Sequence, residues 1–390
     1  PIRTLLNDWG QVIQDIKPLF MMSPMSIAQY LPQNKVEFDL VLFDEASQIK
    51  PVEGFGAVLR GKQVVVVGDS KQLPPTSFFD NDIDFEEEED FNDDSVKTSD
   101  VESILTLFAA KQAPENMLRW HYRSKHESLI AVNNHEFYNS NLFVFPTAYQ
   151  EDQKRGLQFK YLPNTIYVAG KGGRKNKGEA EAVVESIIEH AKKYPNLTLG
   201  VAAFSQTQAR LIEDVLESKL LQNNLQAVEE FINTSHPSEP FFIKNLENVQ
   251  GDERDVIFIS VGYGKQENGK FSINFGPINK DGGERRLNVL FSRAKQQCVI
   301  FSNFKSDELD LSKTQSVGVR ALKTFLQYAE NRVLSVPDVG DATSESPFEE
   351  QVANTIINHG YEIVHQVGSA GFRIDIGVKH PTEKLFVIVE

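Results

Sequence analysis

Two adjacent acidic residues, Asp44 and Glu45, follow an apolar run in the segment VLFDEASQI. In nucleotide hydrolases an aspartate at the end of a buried strand helps to hold Mg²⁺, and a neighbouring carboxylate can accept the proton of the attacking water. An Asp-Glu pair is also common at ordinary strand ends. The pair therefore predicts hydrolase chemistry only if further polar residues converge on it.

A second polar cluster ends the next apolar run, in VVVVGDSKQLPP. Asp69 closes the run, Gln72 comes three residues later, and a rigid Leu-Pro-Pro turn follows. Such a cluster at a strand end can sense the γ-phosphate of a nucleotide, whereas the alternative is a plain turn in which Asp69 caps a helix. The clusters begin at Asp44 and Gly68, 24 residues apart. Since their strands are predicted to be adjacent, the functional interpretation is favoured.

Three later segments carry further candidates. LRWHYRS places Tyr122 beside Arg123, and ENVQGDERD has a Gln-Gly turn immediately before a predicted strand. ERRLNVLFSRAK puts Arg286 and Arg293 seven residues apart, on nearly the same face of a helix. An arginine near the γ-phosphate stabilises transition-state charge and raises the rate by roughly 10³–10⁵. Taken singly, Arg123 and the basic helix would each be interpreted as solvated.

Alternating strands and helices must position these residues. The strands are apolar runs bounded by turn residues, which is typical of buried parallel strands. The alternation predicts an α/β fold with parallel sheets. The predicted strands are residues 36–45, 62–69, 164–170, 197–204, 254–263 and 297–303, and the predicted helices are residues 103–110, 125–137, 178–193, 206–221 and 284–294.

The composition is that of a soluble globular protein of two or three domains, with 390 residues, 40% hydrophobic and 24% charged. No apolar run approaches the ~20 residues that a membrane span needs. The single cysteine, Cys298, suits a reducing compartment, and we expect a cytoplasmic protein without a membrane partner. Pro1 and Glu390 both look like cut ends, which predicts a fragment of a longer protein.

The net charge of −15 is concentrated in residues 80–100, which hold eleven acidic side chains and one lysine. That run accounts for −10, so the rest of the chain carries only −5 and a polyanionic partner is not excluded. The run predicts a solvated loop, because like charges repel and few apolar groups are available for burial. The alternative is a segment that mimics or repels nucleic acid near the site.

In this order, the segments FDEAS, GDSKQLPP, LRWHYRS, ENVQGDERD and RRLNVLFSRAK resemble the later motifs of superfamily 1 helicases. The nearest branch is the one named for the nonsense-mediated-decay helicase and its bacterial relatives, and the match spans about residues 20–305. The resemblance implies RecA-like parallel sheets, ATP and Mg²⁺ as cofactors, and single-stranded nucleic acid as partner. It implies that Asp44 binds Mg²⁺, that Glu45 activates water, and that Gln72 contacts the γ-phosphate and couples it to nucleic acid.

The resemblance also assigns roles to later residues. Tyr122 would stack on adenine, and Arg123 and Arg293 would act as arginine fingers. His121 stands where many members have glutamine. Two groups of residues are assigned to surfaces: Gln250, Gly251 and Glu253 would line the nucleotide and nucleic-acid sides of the second domain, and Ser205 and Gln208 would touch the nucleic-acid backbone.

The family carries a phosphate-binding loop upstream of the acidic pair. The stretch Gly56 to Lys62 (GAVLRGK) satisfies G-x-x-x-x-G-K. Gln63 replaces the Ser or Thr that would ligate Mg²⁺, and the stretch precedes a predicted strand instead of following one. We therefore expect this polypeptide to hydrolyse ATP poorly by itself, although the intact protein would be an ATP-driven translocase.

The C-terminal segment has a pattern of its own. SPFEEQVANTIINHG predicts a helix that begins with a capping box of Ser346 and Glu349 and ends at Gly360. Its apolar stripe consists of Phe348, Val352 and Ile356. YEIVHQV predicts a strand, and FRIDIGV and LFVIVE a hairpin.

If the hairpin turn centres between residues 382 and 383, Asp375 pairs with Glu390, and two carboxylates converge as a metal-dependent nuclease needs. This unit resembles the start of a PD-(D/E)xK or very-short-patch-repair-like endonuclease domain, truncated here. By that resemblance Asp375 and Glu390 would ligate metal, with Glu349 or Glu350 assisting. The alternative is a plain αβββ unit with exposed carboxylates.

The predicted domains are residues 1–110, the C-terminal part of a first RecA-like domain; 111–332, a second RecA-like domain; 333–347, a linker; and 348–390, the endonuclease-like start. Two other functions stay open. One is a catalytically silent nucleic-acid-binding module, and the other is a defence or restriction nuclease whose helicase part remodels DNA. DNA is favoured over RNA by the nuclease-like tail, and the oligomeric state is not predicted.

Overall fold

The computed structural model describes residues 2–33, 35–75, 102–145, 147, 155–170, 174–223, 225–331, 347–367, 374–381 and 386–389. The acidic run at 80–100 and Ser346 lie outside these residues. The chain divides into two compact units, Pro1–Met117 and Leu118–Glu390, so the division falls at 117 where the sequence predicts 110. Among the described residues, no helix is both long and apolar enough to span a membrane.

Unit 1 contains a small parallel sheet with helices against it. Its elements are α1 (Ile2–Ile16), α2 (Pro24–Tyr30), β1 (Phe38–Phe43), α3 (Pro51–Val58), β2 (Gly61–Val66) and α4 (Ile104–Ala110). The two strands run parallel, from the pair Phe38 and Gly61 to the pair Phe43 and Val66. The stretch 56–62 runs from the end of α3 into β2. It is therefore a helix-to-strand turn, the reverse of a phosphate-binding loop.

The two strands are buried on one face only, whereas the sequence predicts buried strands. Val41 and Phe43 pack against a core that includes Ala57 and Ile104. On the other face, Leu40 is 50% and Leu42 is 58% exposed. An apolar run predicts burial only where a second layer covers the strand, and within the described part of unit 1 that layer lies on one side.

Unit 2 is built around a five-stranded, all-parallel sheet in the order β5-β11-β10-β8-β9. The strands of unit 2 are β3 (Trp120–His121), β4 (Phe143–Val144), β5 (Gly156–Tyr161), β6 (Tyr167–Val168), β7 (Lys175–Asn176), β8 (Leu199–Ala203), β9 (Phe242–Asn245), β10 (Arg254–Ser260), β11 (Ala294–Ser302), β12 (Ile363–Val367), β13 (Ile374–Lys379) and β14 (Phe386–Val389). The helices are α5 (Ala131–Tyr138), α6 (Lys177–Lys193), α7 (Gln206–Asn223), α8 (Gln226–Asn233), α9 (Gly283–Phe291), α10 (Val317–Asn331) and α11 (Pro347–Asn358). The predicted α/β class with parallel sheets is confirmed.

The centre of this sheet is buried on both faces. All five residues of β8 are buried, and α6 and α7 contribute Val183, Ile187 and Ile212 to the core on one side. Gly200 allows the close approach of β9, because a Cβ there would lie 2.4 Å from Cζ of Phe242. This packing positions the central strands and the residues that follow them.

The C-terminal segment forms an antiparallel sheet in the order β12-β13-β14, with α11 beside it. The register of the hairpin runs from the pair Ile376 and Val389 to the pair Lys379 and Phe386. These pairs have the register that follows from a turn centred between residues 382 and 383. The predicted pair of Asp375 and Glu390 is not tested, because Glu390 lies outside the described residues. Of the predicted helix stripe, Phe348 is 73% exposed, whereas the neighbouring Ala353 is buried.

Candidate functional site

In unit 1, the two polar turns that follow β1 and β2 lie in contact. The N–H of Ala46 donates a hydrogen bond to the carbonyl oxygen of Val67 (2.9 Å). A Cβ at Gly68 would lie only 2.9 Å from the backbone nitrogen of Ser47. Parallel strands bring their carboxyl ends to one edge of a sheet, so Asp44 and Glu45 share that edge with the cluster around Asp69.

The acidic pair is presented to solvent. Both carboxylates are exposed, and Glu45 adopts a left-handed backbone with φ of 50°. The N–H of Glu45 donates to Oδ1 of Asp44 (3.0 Å), and Nε2 of Gln48 donates to Oε2 of Glu45 (3.3 Å). Neither carboxylate forms an ion pair within the described ranges.

Carboxylate oxygens are hard donors suited to Mg²⁺, which usually takes one or two carboxylates together with substrate phosphates. No group of three or more metal-ligating residues occurs in the part of the chain that the structure describes. The available donor set therefore fits a magnesium ion shared with a nucleotide better than an all-protein metal site.

Gln72 is held against the second turn. Its Nε2 donates to Oδ2 of Asp69 (3.0 Å), and its backbone N–H donates to the carbonyl oxygen of Asp69 (3.1 Å). The N–H of Lys71 donates to Oδ1 of the same aspartate (2.9 Å). Asp69 therefore organises this turn and orients Gln72. No helix follows it in residues 70–75, so it does not act as the helix cap of the alternative interpretation.

In unit 2, Arg123 and Glu253 are brought together. Nε of Arg123 lies 2.7 Å from Oε2 of Glu253, which immediately precedes β10. Burial acts to raise the pKa of Glu253, but Arg123 and Lys295 outweigh it and hold that pKa below its usual value. Arg123 is thus ion-paired, not a freely solvated side chain.

Tyr122 is 93% exposed, so its ring is available to a ligand. The preceding His121 is largely buried, and burial, assisted by the charge of Arg123, lowers its pKa to about 4. Its Nε2 accepts a hydrogen bond from the N–H of Ser124 (3.2 Å). A neutral His121 therefore fixes the turn that carries Tyr122 and Arg123.

Arg286 and Arg293 do not share a helical face. The helix α9 ends at Phe291, and Arg293 lies in the turn before β11, so the predicted continuous helix to residue 294 is wrong here. Both arginines are buried, at 2% and 4% exposed, which excludes a solvated basic face. Nε of Arg293 donates to the carbonyl oxygen of Val289 (2.8 Å), and Nε of Arg286 lies 3.6 Å from Oε1 of Glu247.

The turn before β10 leaves one polar group without a partner. Nε2 of Gln250 is buried and has no hydrogen-bond acceptor among the residues that the structure describes. Gly251 follows with φ of 85°, a conformation that favours glycine. A Cβ at Gly251 would meet no heavy atom within 4 Å, so the space beside this turn is open.

Ser205 and Gln208 follow β8, and only Ser205 has exposed surface. Gln208 is fully buried; its amide donates to Oγ of Ser260 (3.1 Å) and accepts from the N–H of Asn176 (2.8 Å). Its side chain cannot contact a nucleic acid directly, which corrects the expectation. Oγ of Ser205 accepts from the N–H of Gln208 (3.1 Å), so Gln208 helps to hold the turn of Ser205.

Sequence reasoning missed Glu179, a carboxyl group with no solvent contact. Its Oε1 accepts hydrogen bonds from Oγ of Ser260 (2.6 Å) and the N–H of Gly262 (2.7 Å). Burial is the main influence and raises its pKa to about 8. In the sequence Glu179 resembles any acidic residue in the first turn of a helix, and no local signal distinguishes it.

In the C-terminal sheet, Asp375 lies exposed on β13, and Nε2 of Gln366 donates to its Oδ1 (3.2 Å). Glu390 lies outside the described residues. Glu349 and Glu350 lie in the first turn of α11.

Comparisons with known proteins place these features in a family. Two family models, both described as an AAA domain, match residues 24–79 and residues 99–305. The uncharacterized ATP-dependent helicase MG140 homolog of Mycoplasma pneumoniae is 31% identical over 324 residues, which cover 82% of this chain and 28% of that protein. The corresponding helicase of Mycoplasma genitalium is 31% identical over 325 residues, with the same coverage.

The DNA polymerase alpha-associated DNA helicase A of Saccharomyces cerevisiae is 24% identical over 337 residues, which cover 78% of this chain and 43% of that protein. The chain spans 28% of the length of the two mycoplasma relatives.

Proposed function

We propose a function from one premise: the chain belongs to the AAA-domain family of superfamily 1 helicases. The proposed function is that of an ATP-driven translocase or helicase on single-stranded nucleic acid. Since the mycoplasma relatives are much longer, the activity is proposed for the full-length protein that contains these residues. The single free cysteine, Cys298, is buried and suits a reducing compartment, and we place the protein in the cytoplasm.

The contact between the two polar turns of unit 1 carries this proposal. Hydrolysis requires a carboxylate pair and a phosphate-sensing amide within reach of one nucleotide. The hydrogen bond from Ala46 to Val67 and the close approach of Gly68 to Ser47 hold the two turns at one sheet edge. A chance match in either segment would not require this contact.

In unit 1, we assign Asp44 to a magnesium ion that accompanies the nucleotide, and the ion would neutralise charge on the phosphate oxygens. Glu45 is exposed and beside it, so it can accept the proton of the attacking water. Gln72, oriented by Asp69, is assigned to the γ-phosphate. Its movement would report the state of the nucleotide to the bound nucleic acid.

In unit 2, the exposed ring of Tyr122 is assigned to adenine, and Glu253 is assigned to the nucleotide side of the domain. Arg123 and Arg293 are assigned to the charge that develops on the γ-phosphate. The turn of Gln250 and Gly251 has open space and an unsatisfied amide, which supports a ligand contact there.

We propose that Ser205, and not Gln208, makes the nucleic-acid contact after β8, because only Ser205 has exposed surface. DNA is favoured over RNA as substrate, in line with the printed name of the yeast DNA helicase A.

ATP hydrolysis stimulated by nucleic acid tests the function. In the full-length protein, Glu45→Gln is expected to lower kcat by about 10²–10⁴, the range of general-base catalysis, with little effect on nucleotide binding. Glu53→Gln, an exposed acid in the first turn of α3, is the matched control and should retain activity.

The 390-residue chain assayed by itself is expected to turn over little ATP, because it contains no G-x-x-x-x-G-K-[ST] sequence. Full-length protein that hydrolyses ATP equally well with and without Glu45 would contradict the proposed function. Appreciable turnover by the 390-residue chain, abolished by Glu45→Gln, would contradict its expected inactivity.

A metal-dependent nuclease is a second candidate for the C-terminal sheet. It is favoured by the hairpin register, in which Ile376 pairs with Val389 as the sequence predicts. We propose that Asp375 and Glu390 ligate Mg²⁺ or Mn²⁺ in the full-length protein, with Glu349 or Glu350 nearby, and that the 390-residue chain does not cleave DNA. Cleavage by the full-length protein that survives Asp375→Asn would exclude this assignment.

A further inference from the structure

Four charged side chains of unit 2 form a cluster around Glu253. Nε of Arg123 lies 2.7 Å from Oε2 of Glu253, and Nζ of Lys295 lies 3.3 Å from its Oε1. Nζ of Lys295 also forms an ion pair with Oε1 of Glu239. Nothing in the sequence motifs above assigns a role to Lys295 or to Glu239.

The backbone segments that carry these side chains are fastened together. The N–H of Lys125 donates to the carbonyl oxygen of Lys295 (2.7 Å), which docks the segment of Arg123 onto β11. The N–H of Arg254 donates to the carbonyl oxygen of Arg293 (3.2 Å). The cluster can therefore rearrange through its side chains alone, while its backbone stays in place.

The charges in the cluster balance, with two cations against two carboxylates. Glu253 stays ionised, since Arg123 and Lys295 outweigh the effect of burial on its pKa. Burial acts to lower the pKa of Lys295, but its two carboxylates outweigh that and raise it. Arg123 and Lys295 contact different oxygens of Glu253, so either cation can neutralise this carboxylate when the other leaves.

We propose that Lys295 is a positioning residue of the nucleotide site: it holds the Glu253 carboxylate when Arg123 leaves it for the triphosphate. This inference rests on the proposed function. An arginine that is neutralised by Glu253 stabilises the charge on a γ-phosphate less strongly. The ion pair therefore holds Arg123 on Glu253 until ATP binds. Lys295 lowers the free energy needed to break that ion pair, because it still neutralises Glu253 after Arg123 has left.

Removal of Lys295 should strengthen the remaining ion pair between Arg123 and Glu253. ATP must then compete harder for Arg123, which raises KM for ATP. Once released, Arg123 acts as before, so kcat changes little. Removal of Glu239 should have the opposite effect, because Lys295 is then shared with one carboxylate fewer and binds Glu253 more strongly.

Steady-state ATPase kinetics of the full-length protein at saturating single-stranded nucleic acid test the inference. Lys295→Met is expected to raise KM about two- to fivefold, the range that a partly exposed ion pair supports, with kcat within about twofold. Lys295→Arg should restore KM, and Glu239→Gln should lower it. The matched control is Lys193→Met, which removes an exposed lysine paired with Glu189 on α6.

The dependence of KM on salt concentration distinguishes this electrostatic role of Lys295 from a purely structural one. Arg123 and Glu253 are 35% and 37% exposed, so their ion pair is screened. The KM ratio between Lys295→Met and unchanged protein should fall toward one as NaCl rises from about 50 mM to about 500 mM.

An unchanged KM in Lys295→Met, a fall confined to kcat, or a raised KM in Glu239→Gln would each overturn the inference while leaving the proposed function intact. If Lys295→Met does not fold, the Glu239→Gln and Lys295→Arg results decide alone. If the unchanged full-length protein hydrolyses no ATP, the proposed function fails and this inference fails with it.

Discussion

Glu179 is a carboxyl group that folding removes entirely from water. Neighbouring hydrogen-bond donors stabilise it in the folded chain. Oγ of Ser260 and the N–H of Gly262 donate to its Oε1, and the same Ser260 hydroxyl accepts from Gln208. Its Oε2 is buried without a partner among the described residues. The group therefore links the first turn of α6 to the end of β10. Its burial disfavours the ionised form and so shifts its pKa.

That equilibrium predicts a pH dependence of stability. Burial raises the pKa of Glu179 from 4.5 to about 8. Between those values the unfolded chain has lost the proton that the folded chain keeps, so this group's contribution to stability is largest below pH 4.5 and is lost as pH rises toward 8. The slope is about −1.4 kcal/mol per pH unit. In Glu179→Gln this slope should disappear, and urea unfolding between pH 5 and pH 8 measures it.

The control for this prediction is Glu181→Gln, an acid on the same helix that is 47% exposed and paired with Lys177. It should keep the pH slope of the unchanged chain. If Glu179→Gln keeps that slope as well, Glu179 is ionised in the folded state and the account of its burial is wrong.

At the scale of elements, the position of Gly68 decides how β2 meets the acidic turn. A Cβ at this residue would lie 2.9 Å from the nitrogen of Ser47 and 3.1 Å from that of Ala46, both backbone atoms that cannot swing aside. The two turns can therefore touch only if residue 68 has no side chain.

We expect Gly68→Ala to destabilise the chain by about 1–3 kcal/mol, the usual cost of overpacking, because the Asp44 and Gln72 turns must separate. Gly56→Ala is the matched control: the nearest heavy atom to its Cβ would be Nη1 of Arg60 at 3.9 Å, and the change should stabilise α3 by about 0.5–1 kcal/mol. Thermal and urea unfolding measure both. A neutral Gly68→Ala would mean that the turns are not in fixed contact.

The sequence predicts elements whose signal is local and fails where distant contacts decide. The hairpin register around Ile376 is predictable because turn position alone determines it. The end of α9 at Phe291 is not, since the apolar pattern of 284–294 continues past the point where the chain turns into β11.

Polar residues of the site show the same limit. Gln208 looks like an exposed residue after a strand, and only the positions of Asn176 and Ser260 reveal that it is buried. The pairing of Arg123 with Glu253 joins residues far apart in sequence, so neither segment alone predicts it. Motif resemblance identified both residues but not their contact.

At the scale of the whole chain, the two units differ in how complete their described sheets are. Unit 2 contains a five-stranded parallel sheet covered by helices, whereas the described part of unit 1 has only two strands with one open face. Two strands seldom provide enough buried surface for independent stability. The hydrophobic cluster around the five-stranded sheet lies within residues 118–331.

A polypeptide of residues 118–331 is therefore expected to fold by itself and to unfold in one cooperative transition, measured by circular dichroism in urea. A shorter polypeptide, residues 155–331, should be less stable by a few kcal/mol. It lacks the buried Asn133, whose Nδ2 donates to the backbone oxygen of Asn288 (2.9 Å), and Lys125, whose N–H donates to Lys295 (2.7 Å). Equal stability of the two polypeptides would mean that the segment of Arg123 is not anchored to the sheet. If the 118–331 polypeptide shows no cooperative transition, these residues do not fold independently of the rest of the chain.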